Sequence, residues 1–416
     1  MASIDIDVPE SVGMNGRRLA RIRPVMQGHV DHHGYAGIST MIARRGKVIY
    51  ADQVGWQDRE AGVPMAEDTI FRMYSMTKPV IYTALMTLYE EGHFQLTDPV
   101  AEFIPAFGAT KVLASDGNLV DQNPLRPMQV RDLMTHTSGL TSDFPEDLPV
   151  AAQYREARLM DDPTRSLGAM IAELARFPLA FQPGAMWHYG LGTDVAAHLI
   201  EVISGKPVGQ FLHERLFVPL GMVDTAFGVP EPNRHRLSAM YGFPDVNAPG
   251  MTERALYGEH DGNVGRREVQ DTYPVDAPDV FQRGGTGLFA TAADYLRFAM
   301  MLLHGRAGDG TRILGRKTLE LMHMNHLPEE QLPFMLSGTP FGPGYGFGLG
   351  SRVAMDVGAT AVSGSVGEFG WGGAAKTFFW VDPVENLVGL FMAQLLRSHD
   401  YPQRDLRALA YQAIDD

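Results

Sequence analysis

The chain has 416 residues, 45% of them hydrophobic and 20% charged, an ordinary globular composition but more chain than one core usually supports. Its formal net charge of −14 argues against the basic face that nucleic acid requires, and no apolar run approaches the ~18–20 residues of a membrane span. Cysteine is absent, which removes disulfides, thiol catalysis and thiolate metal sites.

The opening MASIDIDVPE carries acids where a secretory leader would carry lysine or arginine ahead of an apolar block, so a cytoplasmic protein is expected. Residues 14–33 then read as a helix. Gly37–Ala43 and Val48–Val54 read as two strands of a hairpin turning at Arg44-Arg45-Gly46. Ile81, Ala84, Leu85 and Leu88 mark the apolar face of an amphipathic helix. From about 100 to 280 the patterns are helical, as at Leu167–Ala175 and Asp194–Ile203, and are broken by proline-rich loops. After Gly284 mixed signals return, with a helix at Ala292–Leu303. Strands at Thr377–Val381 and Leu387–Leu395 flank a turn at 382–386, and a last helix covers 403–414. This order predicts a sheet domain built from residues 1–100 and 285–416, with a mostly helical domain, 101–284, inserted between its halves. A cleft between two such domains is a usual place for a ligand.

Within FRMYSMTKPV (71–80), Ser75 and Lys78 stand three apart, which on a helix puts both side chains on one face. Pro79 is tolerated only in a helix's first turn, so Ser75 is expected at the helix N-terminus, where free N–H groups and the dipole favour a developing anion. A serine hydroxyl needs an adjacent base, and a lysine held neutral by burial and nearby positive charge can be one. The blander reading is a capping serine beside a solvated lysine. Lysine is scarce, six among 35 basic residues, so one at this spacing stands out.

Two further stretches carry what a serine–lysine site would need, a second proton-handling group and a pair of N–H donors. WHYGLGTD (187–194) places Tyr189 on a glycine-rich loop just before a helix. GEFGWGGAA (367–375) offers glycines at the start of a strand, where a ligand can approach the backbone closely. Each stretch alone reads equally as an edge aromatic or a tight turn with a packing tryptophan.

In this order the three stretches resemble the serine β-lactamase-related superfamily, which includes class C β-lactamases, DD-peptidases and family VIII carboxylesterases. Leu133–Leu140 (LMTHTSGL) and Gly284–Thr291 (GGTGLFAT) look like fold markers of the same group. In them Gly139 is expected to end a helix and His136 to be a structural hydrogen-bonder. The resemblance implies an α/β (α+β) fold of β-lactamase/transpeptidase type, a mainly antiparallel sheet flanked by helices with an inserted helical domain. It implies Ser75 as the acylated nucleophile, Lys78 as acceptor of its proton, and Tyr189 as acid to the leaving group and then base to water. The oxyanion would sit between the N–H groups of Ser75 and Ala374.

Two polar anchors of the β-lactamases and peptidases are missing. The lysine-led sheet motif is replaced by Trp371-Gly372-Gly373, and the asparagine of the tyrosine motif by Leu191. These four residues are expected to bind substrate, with Trp371 as a wall of the acyl pocket. Apolar groups in place of anchors disfavour substrates that need them. The resemblance therefore implies a serine carboxylesterase acting on short- to medium-chain esters. A β-lactamase or DD-peptidase-like hydrolase, an acyltransferase to an alcohol, and a catalytically silent binding protein are the alternatives. An α/β-hydrolase elbow is excluded because the closest run, Ser363–Gly367, begins with serine instead of glycine. The histidines lack zinc-site spacing, so no metal and no cofactor are expected, and the expected partner is a small-molecule ester.

Overall fold

The computed structural model describes residues 4–113, 123–146, 148–243, 264–336, 339–340, 342–396 and 402–416. An eight-stranded antiparallel sheet takes strands from both ends of the chain. Its order is Tyr345–Phe347, Arg352–Ala354, Phe369–Gly372, Phe378–Asp382, Leu387–Met392, Gly37–Arg44, Lys47–Asp58 and Val63–Pro64. The central pair is registered by Ser39 opposite Met392 and Arg44 opposite Leu387.

Both faces of this sheet are covered, and the two-residue period of the strands decides which side chain goes where. Ile38, Ile42, Trp380 and Phe391 fall on one face with Ile22, Met26, Leu406 and Ala410, from the helices Ile22–His32 and Pro402–Tyr411. Met41, Phe379, Val388 and Leu390 fall on the other with Leu296 and Phe298 of the helix Ala292–His304. Strands buried on both faces read as continuous apolar runs, as Phe378–Val381 and Leu387–Met392 do. Glu368, also buried, ties the last helix to the sheet by accepting from Arg407 Nη2 at 2.5 Å.

Several elements depart from the sequence expectation for identifiable reasons. The helix expected over 14–33 is two, Gly16–Leu19 and Ile22–His32. Pro24 fits only the first turn of the second, because its ring would clash inside a continuous helix. The helix Thr77–Glu90 is not amphipathic, for every residue from Thr77 to Leu88 is buried. A helix packed on all sides need not keep a polar face. The strand expected over 387–395 breaks after Met392, and Leu395–Leu396 pairs instead with Met240–Gly242 in a second sheet. The helix Val130–Met134 ends well before Gly139, whose φ of +87° serves the following loop. The glycine-rich run at 367–375 is itself partly a strand, Phe369–Gly372, in a hairpin with Phe378–Asp382.

Trp380 is fully buried, and a Cβ at Gly389 on the neighbouring strand would lie 2.0 Å from its indole. Overpacking of a tight core typically costs about 1–3 kcal/mol. Gly389→Ala is therefore expected to lower the urea unfolding midpoint clearly. An unchanged midpoint would show that the indole moves aside at no cost.

Candidate active site

Ser75 sits where a strand becomes a helix. Ile70–Arg72 pairs with Phe289–Thr291, a single 3₁₀ turn covers Tyr74–Met76, and the helix Thr77–Glu90 follows. Pro79 occupies the third position of that helix, as its missing N–H requires. Lys78 occupies the second position of the helix and is only 4% exposed. Its Nζ donates to Ser75 Oγ at 3.3 Å and to the Gly285 carbonyl at 2.8 Å, and lies 4.6 Å from the centroid of the Tyr189 ring. The Tyr189 hydroxyl donates to Ser75 Oγ at 2.7 Å. Two side chains from distant stretches thus converge on the Ser75 oxygen.

The loop carrying Tyr189 is held from both sides. His188 N–H donates to His136 O at 2.7 Å and Leu191 N–H to Thr141 O at 3.1 Å, so the tyrosine loop lies along the LMTHTSGL segment. Leu191 caps the helix Gly192–Ser204 with its side chain in the core, 2% exposed. Tyr82, one turn beyond Lys78, fixes that helix by a 2.7 Å bond with Thr193 Oγ1 and by donating to Leu133 O at 2.8 Å.

Two participants went unnoticed in the sequence. Asp194 is buried, and its Oδ1 accepts the Gly285 N–H at 3.2 Å, so Gly285 is held on both sides, by Asp194 at its N–H and by Lys78 at its carbonyl. Burial raises the Asp194 pKa, opposed by the charge of Lys78 and by the N–H bond from Gly285. The available signal was an acid in the first turn of an otherwise apolar helix, five residues after Tyr189. Gly285 belongs to the GGTG run, whose sequence marks the fold but does not show that its carbonyl faces Lys78.

His136 departs from its expected role as a hydrogen-bonder. Neither ring nitrogen has a partner among the described residues; only its backbone carbonyl is bonded. The ring packs 4.6 Å from Tyr189 and 5.5 Å from Phe347, at a positive φ of 55°. Burial, and secondarily the charge of Lys78, holds its pKa well below the ordinary histidine value, so it is a neutral wall behind the tyrosine. Trp371 completes that wall, 6.1 Å from Tyr189 and 5.4 Å edge-on to Phe347, and is 4% exposed.

The turn after Trp371-Gly372-Gly373 is pressed against the chain leading to Ser75. Thr377 Oγ1 donates to Met73 O at 3.1 Å, and a Cβ on Gly373 would lie 2.3 Å from that same oxygen. The turn closes through Gly373 N–H to Thr377 O at 2.7 Å. Neither Ser75 N–H nor Ala374 N–H has an acceptor among the described residues. The arrangement offers a hydroxyl between two proton carriers, next to backbone donors left without acceptors, which is what acyl transfer through a covalent intermediate needs. Among the described residues no group of three or more acidic or histidine side chains is placed to hold a metal ion. No helix among them is long and apolar enough to cross a membrane.

Fold and site together define a serine hydrolase of β-lactamase/transpeptidase architecture. Residues 22–414 match the Beta-lactamase family, and the chain belongs to it. An uncharacterized protein of Mycobacterium tuberculosis is 34% identical over 364 residues, 86% of each chain. Esterase EstB of Burkholderia gladioli is 29% identical over 386 residues, covering 92% of this chain and 91% of its own. Among solved structures, EstCE1, a hydrolase with promiscuous acyltransferase activity, superposes with a TM-score of 0.78 at 27% identity, over 95% of this chain and 99% of its own.

A second buried carboxyl, Asp143, follows the LMTHTSGL segment. Burial, then the neighbouring Asp161 and more weakly Asp194, pushes its pKa up from 3.8 to about 7. A carboxyl with a raised folded pKa binds its proton more tightly in the folded state, so stability falls as pH rises from about 3.8 to about 7. Asp143→Asn lacks that loss. Its melting temperature relative to the natural protein is expected to improve steadily between pH 4 and 7 and then level off. A difference independent of pH would show that the carboxyl is ionised throughout.

Proposed function

We propose that the protein is a carboxylesterase that hydrolyses short- to medium-chain esters through an acyl-enzyme on Ser75. The observation that carries this reading is the pair of bonds to Ser75 Oγ, 2.7 Å from the Tyr189 hydroxyl and 3.3 Å from Lys78 Nζ. In the first half-reaction Lys78, in its unprotonated form, accepts the hydroxyl proton as Oγ attacks the ester carbonyl. The oxyanion takes the N–H groups of Ser75 and Ala374. Tyr189 protonates the departing alkoxide. In the second half-reaction the tyrosinate removes a proton from water, which attacks the acyl-enzyme, and Ser75 leaves with its proton restored. Asp194 acts on this chemistry indirectly, by fixing the Gly285 peptide whose carbonyl holds Lys78.

The substitution of Trp371-Gly372-Gly373 and Leu191 for a lysine and an asparagine favours esters over β-lactams and peptides, since anchors for a substrate carboxylate and amide at those positions are gone. Trp371 and the adjoining glycines are assigned to the acyl pocket, in a cleft between the sheet and the helical layer. An alcohol in place of water would make the same intermediate an acyl donor. The similarity to EstCE1, a hydrolase with promiscuous acyltransferase activity, favours that as a second reading.

Purified protein is expected to turn over p-nitrophenyl esters from about C2 to C8, and Ser75→Ala to lose several orders of magnitude in kcat/KM, as removal of a nucleophile does. A fluorophosphonate should label Ser75 and leave the alanine variant unlabelled; natural turnover in that variant would overturn the assignment. Tyr189→Phe keeps the ring in its aromatic setting, and its kcat is expected to fall at least about 10²-fold, the scale of a lost proton-transfer group. A mild effect would move the whole proton role to Lys78. Trp371→Ala is expected to shift preference toward longer acyl chains, and an unchanged chain-length profile would remove the residue from the pocket.

A further inference from the structure

Six arginines are buried among the described residues, and five of them have an anionic or carbonyl partner. Arg44 donates to Glu385 and Asp416, Arg236 to Asp224, Arg407 to Glu368 and Arg283 to two backbone carbonyls, while Arg352 lies 3.9 Å from Glu368. The exception is Arg72, three residues before the nucleophile. It is 6% exposed, yet its guanidinium makes no ion pair and no hydrogen bond among the described residues, and its Nε is buried without a partner.

The surroundings of Arg72 are built rather than accidental. Gln394 grips its backbone from both sides, accepting the Arg72 N–H at 3.0 Å and donating to Arg72 O at 3.0 Å. The guanidinium carbon lies 5.6 Å from the ring centre of Phe289 and 6.0 Å from that of Tyr273. These rings support a cation but do not satisfy its five N–H donors. The Tyr74 hydroxyl is likewise buried with no partner, and its titration is coupled to the Arg72 charge. The Tyr273 hydroxyl is already engaged by the backbone at Leu288. The one acid coupled to Arg72, Glu268, is 86% exposed and pairs with Arg266 at 3.7 Å. Tyr74, Tyr273 and Phe289 share an apolar cluster with Ala375, against which Ala374 packs, so this cation adjoins the cluster that also packs the turn assigned to the oxyanion.

We propose that Arg72 and the Tyr74 hydroxyl form a carboxylate-binding subsite, and that the preferred substrates are esters carrying a free carboxylate on the acyl or the alcohol part. The proposal rests on the esterase reading above. A carboxylate suits these two groups because its two oxygens match the guanidinium fork, with a lone pair left for the phenol. A buried cation without an anion is costly, and a substrate that brings the anion removes that cost as it binds. The subsite would supply from Arg72 an anchor for a charge that the missing sheet lysine does not hold.

The test compares p-nitrophenyl hydrogen adipate with p-nitrophenyl hexanoate, and 6-(butyryloxy)hexanoate with hexyl butyrate. In at least one pair the natural protein is expected to favour the charged ester at least about tenfold in kcat/KM, mainly through KM. Arg72→Met is expected to reduce that ratio at least about tenfold. Where that variant does not fold, Tyr74→Phe keeps the packing and is expected to lower the same ratio about threefold or more. A preference for the neutral ester in both pairs, or a ratio untouched by the variants, overturns the proposal. Failure of the natural protein on all four esters would count against the esterase reading instead. The subsite is then decided by calorimetry on Ser75→Ala protein, with hexanoate binding at least about tenfold more tightly than hexanol if it exists and equally if it does not.

Discussion

The site depends on one oxygen being approached from two directions. Ser75 Oγ accepts from Lys78, one helical turn away, and from Tyr189, 114 residues later in the chain. The first contact is a local consequence of helix geometry. The second requires the helix Thr77–Glu90, the LMTHTSGL segment and the tyrosine loop to pack in one fixed relation. Tyr82, Leu133 and Thr193 link these elements through two hydrogen bonds. Because Lys78 and Tyr189 meet the serine from different elements, a small shift of either would separate them. That explains why the loop is bonded to its neighbour at both His188 and Leu191.

Charge is handled differently on the two sides of the nucleophile. On the Lys78 side an amine, a peptide carbonyl, a peptide N–H and the Asp194 carboxyl alternate in sign, so each buried group faces its complement. Apart from Lys78 itself, the ring neighbours of Tyr189 are aromatic, including a histidine that burial keeps neutral. A phenol in such surroundings keeps its orientation through packing, while the lysine keeps its own through hydrogen bonds. Arg72 has aromatic neighbours and, among the described residues, neither an anion nor a carbonyl that its guanidinium bonds to.

The replacement of polar anchors by Trp371-Gly372-Gly373 has a structural side as well. Gly373 permits the turn to touch Met73, and Thr377 bonds to the same carbonyl, so the strand edge is drawn against the start of the nucleophile's turn. Trp371 meanwhile packs against both Tyr189 and Phe347. One short hairpin thereby touches the chain leading to Ser75 and buttresses the phenol that bonds to it.

What the sequence determined by itself was everything governed by short spacing. The Ser75–Lys78 face follows from 3.6 residues per turn, the helix start from Pro79, the hairpin from Arg45-Gly46, and the doubly buried strands from unbroken apolar runs. Two of its errors were local patterns overridden by packing, a strand redirected after Met392 and a helix face that became a whole buried surface; the third, the helix broken ahead of Pro24, follows from the local rule for proline. The tertiary structure alone decided that Tyr189 reaches Ser75, that Gly285 offers its carbonyl to Lys78 with Asp194 behind it, that His136 is a wall instead of a donor, and that Arg72 has no anion among the described residues. Such facts join residues dozens to hundreds of positions apart. Their geometry is set by the mutual packing of the sheet and the helices around it, which no periodicity within a single segment encodes.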